Sequence, residues 1–140
     1  MSHLYVETSA LLRVVLEGDE ALRPLLLGEG RYTSALTFVE ARRGVLRARL
    51  KGRLDASGMH KALRRITEYA RSCEIVPLED EVLRRAGEEF PVEPVRTLDA
   101  IHIATLQILE ESLSGFEIAT CDERVRDNAE ALGFRVLPAR

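Results

Sequence analysis

Short runs of β-branched and aromatic residues alternate along this chain with longer segments whose apolar residues recur at helical spacing. The runs predict five strands, at 4–6, 31–33, 73–76, 116–119 and 134–137. The longer segments predict helices from about residue 9, over 20–27, from 34 or 37 to about 52, and over 56–72, 79–90, 97–109 and 122–132. Strands separated by helices are joined by right-handed crossovers into a parallel sheet. The sequence therefore predicts an α/β fold, a three-layer α/β/α sandwich with a central, mainly parallel sheet.

The long helix that begins at Ser34 or Thr37 has apolar residues that recur every three to four positions or at multiples of that spacing. They are Leu36, Val39, Leu46 and Leu50. A stripe of this kind is typical of the buried face of a helix, so we expect these four side chains to point into the core.

Length and charge limit the class of protein. At 140 residues with 46% hydrophobic content, the chain is expected to form a single domain over residues 1–140. The net charge of −3 does not indicate nucleic-acid binding, yet residues 42–71 hold ten of the 20 Lys and Arg residues and only two acids. This region is therefore strongly basic inside an acidic protein, and Arg64 and Arg65 lie in it. A solvated, salt-bridged face alone would explain these charges.

The two cysteines, Cys73 and Cys121, lack the spacing of a metal knuckle and the number of a disulfide scaffold, so we expect reduced thiols. The first residues do not have the basic and then apolar pattern of a leader. No run approaches the roughly 18 apolar residues of a membrane helix. These features predict a cytoplasmic protein without a membrane anchor.

Four carboxylates lie beside a Ser or Thr where a predicted helix begins: Glu7, Glu40, Asp99 and Asp122. Each alone has a structural explanation as a helix cap, because Thr37 and Glu40 have capping-box spacing and Asp122 has the position of an N-cap. Asp99 is different, since the apolar residues one and two turns further along its helix predict that it faces inward. A buried carboxylate needs a cation or a dense hydrogen-bond network.

Two of these carboxylates, Glu7 and Asp122, follow the carboxyl ends of predicted parallel strands, where open α/β sheets place their sites. If all four meet there, their repulsion requires divalent cations. Oxygen ligands favour Mg²⁺ or Mn²⁺. Ser9 and Thr120 either orient the carboxylates, bind metal-bound water or act as caps. We expect His102 to be a hydrogen-bonded core residue outside the site.

With these motifs the chain resembles PIN domains, in particular the small stand-alone ribonuclease toxins of the VapC type. The resemblance covers nearly the whole chain. It lies in YVETSALL at 5–12, SALTFVEA at 34–41, TLDAIHIAT at 97–105, and IATCD at 118–122 followed by AEALGFRV at 129–136. Glu40, Asp99 and Asp122 match three acids of the family's quartet, whereas Glu7 occupies the position of its first Asp.

The resemblance implies a Mg²⁺- or Mn²⁺-dependent endoribonuclease of a type II toxin–antitoxin pair, which hydrolyses RNA phosphodiester bonds. Asp99, Glu40 and Glu7 would then be the main metal ligands, and Asp122 would complete the site or orient water.

The basic 42–71 region would then guide the RNA backbone to the site, with Arg64 and Arg65 as candidate RNA-binding residues. A homodimer and a small antitoxin partner are also implied. The extra methylene of Glu7 leaves an alternative open, a PIN-fold module with weakened catalysis that binds RNA or protein. A phosphoacceptor domain is a third reading, but such chemistry needs a lysine at a strand end, and the two lysines of this chain lie in or beside predicted helices.

Overall fold

The computed structural model describes residues 2–140, and its centre is a five-stranded sheet in which every pair of neighbours is parallel. The strands lie in the order β3-β2-β1-β4-β5. Their bounds are His3–Val6 (β1), Arg31–Ser34 (β2), Glu74–Val76 (β3), Phe116–Ala119 (β4) and Val136–Leu137 (β5). All five strands predicted from the sequence are present, although the last is shorter than expected.

Seven helices connect and flank these strands in the described part of the chain. They are Thr8–Glu17 (α1), Arg23–Leu26 (α2), Ala35–Leu50 (α3), Ala56–Ala70 (α4), Asp80–Ala86 (α5), Thr97–Leu113 (α6) and Glu123–Ala131 (α7). Across residues 2–140, no helix combines the length and the apolar character that crossing a membrane requires. Cys73 and Cys121 are both free thiols.

The central strand β1 sends alternate side chains into two different cores. Leu4 and Val6 pack into a cluster with residues of α1 to α4, including Leu11 and Ile66. Tyr5 points to the opposite face of the sheet and packs into a cluster built mainly by α6, α7 and their neighbouring strands. Because side chains of a strand alternate between its two faces, this one strand fixes helices on both sides of the sheet. The predicted α/β/α sandwich is confirmed.

Two helix predictions were too long. The helix predicted over 20–27 contains only Arg23–Leu26, because Pro24 has no N–H and its ring disfavours a preceding helical turn. Asp19 instead accepts hydrogen bonds from the backbone of Ala21 and Leu22. The helix predicted over 79–90 ends at Ala86, where Gly87 forms the C-cap. By contrast, α6 continues past residue 109 to Leu113.

The prediction for the buried face of α3 was wrong. Three of its four expected core residues are exposed: Val39 at 60%, Leu46 at 37% and Leu50 at 88%. The buried residues of this helix are Thr37, Ala41, Val45 and Ala48. They are small, which lets α3 approach its neighbours α1 and α4 closely. At Gly44 a Cβ atom would lie only 2.8 Å from a methyl carbon of Leu12.

The capping-box interpretation of Thr37 and Glu40 was also wrong. Ser34 is the N-cap of α3, and its hydroxyl accepts a hydrogen bond from the backbone N–H of Leu36. Thr37 is buried and shares a hydrogen bond with Thr33. The carboxylate of Glu40 is therefore free of a capping role.

The parallel sheet places the carboxyl ends of its strands at one edge. Glu7 directly follows β1, Thr120 directly follows β4, and α3 begins where β2 ends. Since β1 lies between β2 and β4, these three strand ends are neighbours. This edge of the sheet carries the candidate site.

Candidate functional site

Four carboxylates line one open cavity of about 450 Å³ at this edge of the sheet: Glu7, Glu40, Asp99 and Asp122. Three arginines, Arg43, Arg47 and Arg96, line the same cavity, which we call the acidic cavity. The sequence predicted the four acids as a shared site, and the structure brings them to one place. Their role in catalysis or metal binding stays a prediction.

Glu7 is held by residues that follow the two central strands. It is the N-cap of α1 and is only 4% exposed. Its Oε1 accepts hydrogen bonds from the hydroxyls of Ser9 and Thr120, the latter at 2.6 Å, and its Oε2 accepts one from the backbone N–H of Ser9 at 3.1 Å. Ser9 and Thr120 therefore orient this carboxylate, which is one of the three readings that the sequence left open.

Glu40 is held from inside the protein. Its Oε1 accepts hydrogen bonds from the hydroxyl of Thr8 and from Nε2 of His102, each at 2.6 Å. Burial alone would raise the pKa of Glu40, but the hydrogen bond and charge of His102, the hydrogen bond of Thr8 and the charge of Arg96 together lower the pKa below its ordinary value. Glu40 is consequently a carboxylate that stays ionised.

His102 connects Glu40 to the core. The ring is fully buried, and its Nδ1 lies 2.6 Å from the hydroxyl of Tyr5. Burial and the charges of Glu7 and Glu40 raise the pKa of Tyr5 well above its ordinary value, so this hydroxyl keeps its proton and can donate it. Because an ionised carboxylate can only accept, Nε2 of His102 carries the proton that it donates to Glu40, while Nδ1 and the Tyr5 hydroxyl share the second hydrogen bond. His102 is thus hydrogen-bonded in the core, as expected, but it also positions a carboxylate of the acidic cavity.

Asp99 and Asp122 both form ion pairs with the side chain of Arg96. Nε of Arg96 lies 3.2 Å from Oδ2 of Asp99, and Nη2 of Arg96 lies 3.5 Å from Oδ2 of Asp122. Burial and the charge of Asp122 raise the pKa of Asp99 despite the ion pair with Arg96. Asp122 is also the N-cap of α7, where its Oδ1 accepts from the backbone N–H groups of Arg124 and Val125.

The four acids of the cavity offer carboxylate oxygens as ligand atoms, and such atoms suit a hard divalent cation. Oε2 of Glu40 and Oδ1 of Asp99 accept no side-chain or backbone hydrogen bond from any described residue. As the side chains stand, however, no three acidic, His or Cys residues within 2–140 are grouped so that they could hold one ion together. The chemistry of the residues fits Mg²⁺ or Mn²⁺, and binding would require some side chains to move.

Two predicted RNA-binding residues lie elsewhere. Arg65 lines a separate, mostly apolar cavity of about 410 Å³ beside Leu11 and Tyr69, and Arg64 is exposed on α4 and does not line the acidic cavity. Their role stays a prediction.

The sequence reasoning counted Arg43 and Arg47 in the basic region but did not place them at the site, and it missed Arg96, although the spacing of all three gave a signal. Arg43 and Arg47 follow Glu40 by three and seven residues on α3, and Arg96 precedes Asp99 by three. Residues at these spacings share a helix face. Nothing in the sequence indicated that His102 of α6 would contact Glu40 of α3.

The fold and the site together define a class: a parallel α/β/α sandwich with acidic side chains gathered at the carboxyl edge of its central strands. The sequence model of the family described as "PIN domain" matches residues 4–131. The chain belongs to the PIN-domain family.

Relatives with ribonuclease names are similar to this chain over almost their whole length. Ribonuclease VapC46 of Mycobacterium tuberculosis (strain ATCC 25618 / H37Rv) is 35% identical over 140 residues, which cover 98% of each chain. Ribonuclease VapC35 of Mycobacterium tuberculosis (strain CDC 1551 / Oshkosh) is 34% identical over 140 residues, which cover 96% of this chain and 95% of the relative.

Solved structures share the fold at low sequence identity. A toxin–antitoxin complex from Klebsiella pneumoniae contains a chain that superposes with a TM-score of 0.68 at 17% identity, covering 99% of both chains. PAE2754 from Pyrobaculum aerophilum gives a TM-score of 0.62 at 20% identity and covers 97% of this chain and 84% of its own. FitAB bound to an IR36 DNA fragment gives 0.60 at 19% identity, with 96% and 93% covered.

Proposed function

We propose that this protein is a Mg²⁺- or Mn²⁺-dependent endoribonuclease, the toxin of a type II toxin–antitoxin pair, which hydrolyses RNA phosphodiester bonds. One observation carries the proposal: Glu7, Glu40, Asp99 and Asp122 line a single cavity in a chain that is similar over its whole length to named ribonucleases. The proposal extends the activity of those relatives to this chain.

In this proposal Glu40 and Asp99 are the main metal ligands, because each keeps one carboxylate oxygen that no described residue occupies. Asp122 completes the site or orients water. Glu7 and Asp122 are the weaker ligands, since both oxygens of each already accept hydrogen bonds. When bound, Mg²⁺ or Mn²⁺ supplies charge stabilisation at the transferring phosphate and lowers the pKa of water.

The protein's own residues supply positioning. Thr8 and His102 hold Glu40, while Ser9 and Thr120 hold Glu7, so two of the four carboxylates have fixed orientations before any ligand arrives. Preorganised charges of this kind need little reorganisation during the reaction. Arg43 and Arg47 at the wall of the cavity attract the phosphate backbone of RNA and bring it toward the carboxylates.

A second candidate function is a PIN-fold binding module with weakened catalysis, which binds RNA or a protein partner. The observation that favours it is the hydrogen-bonded state of Glu7, at the position where the resemblance implies Asp. Metal binding without any RNA cleavage would support this reading.

The first experiment is a calorimetric titration of Mn²⁺ into the purified, partner-free protein. The matched variants are Asp99→Asn, which removes a proposed ligand, Glu7→Asp, and Asp80→Asn as a control on the exposed start of α5. We expect the parent and Asp80→Asn to bind equally and Asp99→Asn to lose binding. Tighter binding by Glu7→Asp would identify Glu7 as the cause of a weakened site. No binding by any of the four, nor by an Arg96→Gln variant, would refute the metal site.

Cleavage of RNA is then measured with the same proteins in Mn²⁺. We expect Asp99→Asn to lower the rate at least about a hundredfold, because removing a ligand removes stabilisation of the transition state. An Asp99→Asn rate equal to that of the parent would refute the proposed catalytic role.

The proposal includes two protein partners, a small antitoxin and a second copy of this chain. Light scattering after size-exclusion chromatography tests the homodimer, and a monomer at micromolar concentration would contradict it. Co-purification with the small protein encoded beside this one tests the antitoxin, and failure to form a complex when the two are co-expressed would contradict it.

A further inference from the structure

Arg96 occupies a particular place in the acidic cavity. It is the N-cap residue of α6, and its backbone C=O accepts the hydrogen bond of Ala100 N–H. Its guanidinium reaches across to two acids from different elements, Asp99 of α6 and Asp122 at the start of α7. In the described part of the chain, these are the ion pairs that involve Asp99 and Asp122.

The guanidinium and a divalent cation compete for the same two carboxylate groups, although Oδ1 of Asp99 accepts no hydrogen bond from a described residue. Arg96 contacts Oδ2 of Asp99 and Oδ2 of Asp122, so a single positive group already lies between two carboxylates that are proposed to hold a metal. Like charges around a small site require a neutralising cation. In this arrangement Arg96 provides it, and the side chains are not grouped as a set of metal ligands.

We propose that Arg96 is an internal counter-ion of the acidic cavity, which must release Asp99 and Asp122 before a divalent cation binds them. The inference rests on the proposed metal site and concerns its regulation. Arg96 thereby lowers the affinity of the empty site for metal, and whatever draws the guanidinium away, such as an RNA phosphate, raises it.

Release of Arg96 is physically accessible. Its side chain is 64% exposed, whereas that of Asp99 is only 11% exposed, so the mobile partner of the pair is the arginine. Exposed ion pairs contribute little to stability, because solvent screens them and ordering two side chains costs entropy. Arg96 can therefore swing into solvent or toward a phosphate without unfolding α6, whose first turn is fixed by the backbone.

The test is a Mn²⁺ titration by calorimetry at low ionic strength, with the parent, Arg96→Gln and Arg43→Gln. Arg43 also lines the cavity and its replacement removes the same unit of charge, but it forms no ion pair with the four acids in the described structure. We expect Arg96→Gln to bind Mn²⁺ at least about fivefold more tightly, the factor for two unit charges about 4 Å apart in water. Arg43→Gln should show a smaller gain.

The outcomes separate the two proposals. Equal or weaker Mn²⁺ binding by Arg96→Gln overturns the counter-ion role while leaving the metal site intact, and so does an equal gain in Arg43→Gln. Binding by Arg96→Gln when the parent binds nothing supports the counter-ion role. If neither protein binds Mn²⁺, the metal site itself is refuted and the role of Arg96 falls with it. Asp99→Asn in the Arg96→Gln background must abolish binding, which locates the ion.

Discussion

The hydroxyl of Tyr5 lies 2.6 Å from Nδ1 of His102, and this hydrogen bond joins the central strand to α6 inside the core. The opposite nitrogen of the same ring contacts Glu40, so the contact connects the sheet to a carboxylate of the acidic cavity. A fully buried imidazole with both nitrogens paired holds one orientation. The position of Glu40 consequently depends on His102, which does not line the acidic cavity.

Replacing Tyr5 by Phe tests this connection. The substitution leaves Nδ1 of His102 buried without its hydrogen-bond partner, and we expect a loss of about 1–3 kcal/mol in the free energy of unfolding. Urea denaturation measures the loss. Tyr32→Phe is the control, because Tyr32 is only half-buried and its hydroxyl forms no hydrogen bond with another described residue. That variant should stay within about 0.5 kcal/mol of the parent. Equal losses in both variants would show that the Tyr5 hydroxyl has no special role.

The ionised carboxylate of Asp99 should lower the free energy of unfolding of the metal-free protein at neutral pH. Burial and the neighbouring Asp122 raise the pKa of Asp99 in the folded state, so the fold favours the protonated carboxyl. The stability that the protonated Asp99 carboxyl contributes is fully present below the pKa of Asp99 in the unfolded chain. It is lost as the pH rises through the pKa of Asp99 in the folded protein. Asp99→Asn resembles the protonated form, and we therefore expect it to be more stable than the parent at about pH 7.

Thermal unfolding in EDTA measures this difference at two pH values. At about pH 3 the carboxyl is protonated in the unfolded chain as well, so the advantage of Asp99→Asn should disappear. A variant that is less stable than the parent at neutral pH would mean that Arg96 and the helix dipole outweigh burial. A stability gain combined with lost metal binding is the trade-off expected of a functional residue.

The order of the elements was predictable because strand and helix periods differ clearly, and the alternation implies a parallel sheet. The convergence of the four acids was predictable for the same reason, since strand ends in a parallel sheet meet at one edge. The partners of those acids were not. The contact between Glu40 and His102 joins residues 62 positions apart, and no local pattern records such a distance.

The buried face of α3 shows why hydrophobic spacing alone is insufficient. Two stripes of residues on this helix have helical spacing. One consists of large apolar residues, most of which are exposed, and the other of small residues, which are buried. Close packing against α1 and α4 selected the small residues, and this preference depends on the distance between helices. Sequence periodicity contains no information on that distance.

Paired substitutions on α3 test which stripe stabilises the fold. Val45→Ala removes two methyl groups from a side chain with no exposed surface, and we expect a loss of about 1–3 kcal/mol in the free energy of unfolding. Leu50→Ala removes more carbon from a side chain that is 88% exposed, and its effect should stay within about 0.5 kcal/mol. Urea denaturation of both variants decides the matter. A larger loss for Leu50→Ala would reverse the assignment of the buried face.

Two pairs of arginines from the basic region allow a direct comparison of RNA binding. Arg43 and Arg47 line the acidic cavity, whereas Arg64 and Arg65 do not. Each arginine that no longer neutralises a phosphate of a single strand should reduce the slope of log affinity against log salt by about 0.7. We expect the double substitution of Arg43 and Arg47 by Gln to reduce the slope by about 1.4, twice the single-site value, and to weaken RNA binding. The same substitution of Arg64 and Arg65 should leave both nearly unchanged.

Fluorescence anisotropy with labelled single-stranded RNA measures the affinity and its salt slope, with Asp99→Asn as the background to prevent cleavage. The comparison is informative because both double variants remove the same charge from the same basic region, so only the position of that charge differs. The opposite ranking would return the RNA path to α4, the position predicted from the sequence, and would separate RNA binding from the walls of the acidic cavity.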